Sequence, residues 1–140
     1  MIDSEKLRIV LNDKRTSDRV RLMFLLLEKG LTVKDIIALS AKDLQILNQV
    51  ESGELLFKKY TARKGVMDTI IKSNLLFPSK TGEALTEIGI LGVLRRPCRL
   101  NGFQLKDIGF HGLTSEKVVD ISTMSLEEIQ KYIEEQNKKQ

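Results

Sequence analysis

Gly30-Leu31-Thr32-Val33-Lys34-Asp35-Ile36-Ile37-Ala38-Leu39-Ser40-Ala41-Lys42-Asp43-Leu44 punctuates the first half of the chain. A glycine after an apolar run suits the position just past a helix end, where the backbone turns left-handed. Thr32 and Asp35 then stand three apart, the spacing of a capping box ahead of Ile36, Ile37 and Leu39. Ser40 and Asp43 repeat that spacing. The stretch therefore predicts a helix, a glycine stop, a short capped helix over Val33–Leu39, and an exit.

The segment before it fits that reading. Ser17 is a good N-cap for a helix over Asp18–Lys29, with Val20, Met23, Phe24 and Leu27 as its stripe. Leu25 and Leu26 widen the stripe, as expected of a helix central to the core. Further upstream, Leu7, Val10 and Leu11 define a helix over Ser4–Asn12.

Downstream the pattern changes. Gln45–Gln49 reads as a short strand and Glu51-Ser52-Gly53-Glu54 as a turn. Leu55-Leu56-Phe57 and the following Lys58–Gly65 read as a small antiparallel hairpin. Val66–Leu76 reads as a helix, and Pro78 to Gly82 as a loop or small hairpin. Thr86 caps a helix over Glu87–Arg96, which Pro97 ends or kinks. Asn101-Gly102 is a turn and Phe103–Ile108 a connector. A brief helix carries Val118, Val119 and Ile121. Ser125-Leu126-Glu127-Glu128 opens a last helix to Asn137, and Lys138-Lys139-Gln140 should fray. The expected fold class is mainly α with a small antiparallel β-sheet (α+β), in one domain spanning residues 1–140.

Composition is that of an ordinary globular chain, 41% hydrophobic and 30% charged. No apolar run reaches membrane-span length, and Met1–Glu5 lacks signal-peptide character. The single cysteine, Cys98, fits a reducing cytoplasm. With one histidine and one cysteine, no metal site or cofactor is expected. The net charge of +4 is compatible with nucleic acid but does not diagnose it.

Several of these segments together resemble the catalytic domain of the tyrosine recombinase (phage integrase) family. The family's first box reads Gly-Leu-Arg-x-x-Glu-Leu-x-x-Leu, followed by an Asp. Gly30, Leu31, Asp35, Ile36, Leu39 and Asp43 fill those places, with Thr32 where the family has a catalytic arginine. Leu76–Ser79, Gly82 and the helix ending Leu94-Arg95-Arg96 resemble the segment that leads to the second box, His-x-Leu-Arg. That box is His111-Gly112-Leu113-Thr114 here, again with threonine for arginine. Ser125–Ile133 resembles the helix leading to the family's Leu-Gly-His, where Ile133-Glu134-Glu135 stands. The resemblance covers Ser17 to Glu135, lacks the family's core-binding domain, and stops before the place of the tyrosine nucleophile.

Recombinase chemistry needs fixed positive charge on the phosphate oxygens and a nucleophile. Threonine has no charge and one donor, so Thr32 and Thr114 are read as helix-start caps. The degenerate positions Thr32, His111, Thr114 and Glu135, with no terminal tyrosine, imply a chain without catalytic activity. The basic residues fall into three groups: Lys14, Arg15, Arg19 and Arg21; Lys58, Lys59, Arg63 and Lys64; Arg95, Arg96 and Arg99. By resemblance, Lys58, Lys59, Arg63, Lys64, Arg95, Arg96 and Arg99 are the expected phosphate contacts on double-stranded DNA. The implied function is non-catalytic, integrase-like DNA binding, as a regulator or accessory factor of a phage or mobile element. The alternative is a protein-interaction module, self-associating or pairing with a recombinase or repressor partner without touching DNA.

Overall fold

The computed structural model describes residues 2–110, Leu113 and Gln130. The expected helices around Val118–Ile121 and Ser125–Asn137, the frayed tail, and His111, Thr114, Tyr132 and Glu135 lie outside the described residues. Within them the protein is helical: α1 (Ser4–Asn12), α2 (Asp18–Glu28), α3 (Val33–Ala38), α4 (Gly53–Thr61), α5 (Val66–Ser73) and α6 (Glu87–Leu100). Two 3₁₀ segments, Ala41–Gln49 and Leu105–Ile108, complete the set.

Helix α2 is the axis of the fold. Every residue from Leu22 to Leu27 is buried, so the helix is enclosed on all sides. Its neighbours are α1, α3, α6 and, most extensively, α4. Local chemistry sets its ends. Ser17 Oγ accepts from Val20 N at 3.2 Å. At the other end Gly30 takes φ +104°, and two reverse bonds close a Schellman turn. These run from Gly30 N to Leu27 O at 3.0 Å and from Leu31 N to Leu26 O at 3.2 Å. The Thr32–Asp35 capping box then forms in both directions, at 3.1 and 2.8 Å. Ser40 N donates to Asp43 Oδ2 at 3.0 Å, but the helix it opens is 3₁₀ rather than α.

The expected strand and hairpin between Gln45 and Gly65 are not there. Gln45–Gln49 belongs to a 3₁₀ segment, and Gly53–Thr61 is helix α4. Ser52 turns left-handed at φ +60°, and Gly53 then presses against the Leu47 carbonyl and the Val50 side chain. A Cβ at Gly53 would collide with that backbone, so glycine allows the chain to reverse and start a helix. Leu56, Phe57 and Tyr60 then fall on one helical face, packed onto the core. A short apolar run is ambiguous between strand and helix, and packing on α2 decides it. Among the described residues the only β-pairing is two isolated antiparallel bridges, Ser40 with Leu75 and Pro78 with Ala84.

Two helix ends also differ from expectation. Helix α5 stops at Ser73 because Asn74 adopts a left-handed cap, φ +61°. Helix α6 runs through Pro97 to Leu100. The ring removes the donor that would meet the Val93 carbonyl, and at the helix end the Asn101 side chain bonds the Pro97 carbonyl at 2.8 Å. The same amide bonds Asp13 Oδ2 at 2.9 Å, tying the α1–α2 loop to the end of α6. Asp3 N donates to Ile108 O at 2.7 Å, and Phe24 packs on Phe110 with centroids 6.1 Å apart.

Candidate nucleic-acid interface

The three basic groups have different fates. In the first, Arg21 is a structural residue. It donates to Leu11 O at 2.9 Å, to Asp13 O at 2.8 Å, and to Asp18 at 3.2 Å. Arg15 is held bidentate by Asp13 at 2.8 and 3.0 Å. Those bonds hold the Asp13 carboxyl well below the usual carboxylate range, the Arg15 side chain first, then its N–H, then Asn101. Arg19, two residues before Arg21, is half-buried and joins no ion pair among the described residues.

Arg19 stands between two adjoining clefts. The larger, of about 490 Å³, lies where the α4–α5 turn meets the start of α2 and the Pro78–Lys80 loop. Its cations are Arg19, Arg63, Lys64 and Lys80. The smaller, of about 240 Å³, lies between the start of α2 and the last turns of α6, with Arg15, Arg19, Arg63 and Arg96 in its lining. The clefts share Ser17, Arg19 and Arg63. Among the described residues no carboxylate lines either one. Of these cations only Arg15 is in an ion pair among the described residues.

All seven expected contact residues are exposed, but the structure does not gather them. Arg63, Lys64 and Arg96 line the clefts. Lys58, Arg95 and Arg99 line neither. Lys59 lines a different groove, of about 800 Å³, alongside Glu28 and Glu51. Arg15 and Arg19, which are not among those seven, enter the clefts. Lys80 was missed because it sits alone in a turn, with no periodicity to place it. Thr32 spends its hydroxyl on the capping box, as expected.

The other chemistry-bearing residues are occupied. Tyr60 is only 5% exposed, stacks on Phe77 at 5.7 Å, and donates its hydroxyl to Leu76 O at 3.2 Å. Burial raises its pKa, partly opposed by the nearby Arg19 charge. Cys98 is buried, and burial pushes its thiol up to about 11. It is an inert packing residue. Among the described residues no group of three or more His, Cys, Asp or Glu could hold a metal ion. None of their helices is long and apolar enough to cross a membrane.

The described residues form a mainly helical fold with a basic cleft in which they place no carboxylate. No family model, curated protein or solved structure shows significant similarity to the chain.

Proposed function

We propose that the protein binds the phosphate backbone of double-stranded DNA without cutting it. One observation carries this reading. Cations from the start of α2, the α4–α5 turn and the end of α6 line shared clefts in which no carboxylate stands among the described residues. Like charges gathered in one lining repel, and an anionic partner relieves the repulsion. The integrase-like architecture, and a role as regulator or accessory factor of a mobile element, rest on the resemblance of the Gly30–Asp43 and His111–Thr114 boxes. Absence of cleavage is supported by Thr32, a cap without charge, and by Tyr60, whose hydroxyl is buried and engaged.

The test is duplex binding across a salt series. Without base readout, affinity should fall in the non-specific range of about 10⁻⁴–10⁻⁶ M at physiological salt. Each phosphate contact should add about −0.9 to the slope of log affinity on log salt. Changing Arg19, Arg63 and Arg96 together to Ala should flatten that slope by about 2 to 3. No binding even at low salt would favour the protein-interaction reading. An unchanged slope would move the DNA surface elsewhere.

A further inference from the structure

The clefts are concave, whereas a duplex presents its phosphates on a convex cylinder, about one charge each. Arg19, Arg63 and Arg96 bring to the smaller cleft three guanidinium groups that join no ion pair among the described residues. Arg19 is half-buried there, and a partly desolvated cation without a counter-ion is costly. At the same cleft the Thr16 hydroxyl is fully buried and has no hydrogen-bond partner among the described residues, a polar group left unmet. Guanidinium forks match phosphate oxygens bidentately. A terminal phosphate monoester carries about −1.5 to −2 charge at neutral pH and three free oxygens, a better match to three cations than one diester. The adjoining larger cleft has the volume of a small-ligand site. Val66 and Pro78 give it an apolar wall, and Lys80 a charged rim.

We propose that these clefts form one seat for a nucleotide bearing a terminal phosphate. Its phosphate lies among Arg19, Arg63 and Arg96, and its nucleoside lies against Val66 and Pro78. The seat rests on the DNA reading above, because a phosphorylated strand end is the form in which DNA would fill it.

The experiment compares a 5′-phosphorylated dinucleotide with the same dinucleotide lacking the phosphate, on the full chain, by calorimetry or NMR titration. The phosphorylated form should bind about tenfold tighter or more, the scale of charge-assisted hydrogen bonds. Because the second phosphate pKa is about 6, that preference should shrink about three- to fourfold between pH ~7.5 and ~5.5. Burial raises the Tyr60 pKa, so its hydroxyl stays neutral there, and Asp13 on Arg15, held below the usual carboxylate range, stays ionised. Arg19→Gln should abolish the preference without lowering the melting temperature. Should that variant fail to fold, the exposed Arg96→Gln replaces it, with at least a severalfold loss expected.

Equal binding of the two dinucleotides would overturn the seat, as would a preference indifferent to pH. Inorganic phosphate binding as tightly as the phosphorylated dinucleotide would also overturn it, since the nucleoside would then add nothing. A 5′-mononucleotide as third probe separates a free nucleotide from a strand end, and tight binding of either supports the seat. Covalently closed circular duplex has no ends. Binding to it with no preference for the phosphorylated probe would sink the seat and leave the backbone reading standing. The reverse result would do the opposite.

Discussion

Arg19 and Arg21 are two residues apart on α2 and face different fates. Arg21 opens onto the groove lined also by Arg8, Lys59, Glu28 and Glu51, and its donors are spent on the carbonyls of Leu11 and Asp13. Arg19 opens onto two clefts that hold cations and, among the described residues, no carboxylate. One groove sets two carboxylates among its three cations and has its arginine built into the fold. The other has charge left over. Counting basic residues along the chain cannot tell these regions apart. What separates them is whether an acceptor sits within reach.

The largest expected effect would remove both regions together, because both hang on α2. Phe24 is fully buried, so Phe24→Ala should cost about 3–5 kcal/mol in a denaturant titration. A loss below about 1 kcal/mol would mean that α2 is not the axis, and the comparison would lose its frame.

A sharper cut divides the two arginines. Arg21→Ala should cost about 1–3 kcal/mol of stability, because it strips donors from two backbone carbonyls and from Asp18. Arg19→Ala should stay within about 0.5 kcal/mol of wild type and lose DNA affinity instead. The comparison breaks if the two variants behave alike in both measurements.

The salt slope tests the same division within α4 and its turn. Arg63→Ala with Lys64→Ala should flatten the slope by about 1.8. Lys58→Ala with Lys59→Ala should change it by less than about 0.5, because neither residue lines a cleft. A larger effect from the second pair would spread the interface over the whole outer face of α4.

The smallest effect concerns the hinge between the regions. The Asp13 carboxylate is held by Arg15 and Asn101, and its pKa is depressed on folding. It therefore adds stability above the unfolded-state value of about 4, and that contribution is lost as pH falls through the folded value. Asp13→Asn should lower stability between pH ~6 and ~8, where the carboxylate is ionised, and converge on wild type as pH falls, which flattens the acid limb of the stability curve. An acid limb identical to wild type would show that the Asp13–Asn101 tie contributes nothing measurable.

The helix ends were legible in the residues themselves. Ser17, Gly30, Thr32 with Asp35, and Thr86 act over three or four residues, and each cap forms as its spacing predicts. The central helix was legible for the same reason, since a run buried on every side needs no partner identified. Three things waited on tertiary structure. Leu55–Phe57 suits strand or helix locally, and only the fit of Leu56, Phe57 and Tyr60 onto the core makes α4. Pro97 looks like a helix end, yet α6 runs on to Leu100 with Pro97 and Cys98 buried in the packing. The basic face draws Arg19, Arg63 and Arg96 from segments far apart in sequence, while packing leaves Lys58, Arg95 and Arg99 outside it. Caps and stops follow from hydrogen bonds within one turn of chain. Which charges meet, and which find a carboxylate, depends on contacts between helices, and no spacing along the sequence encodes those directly.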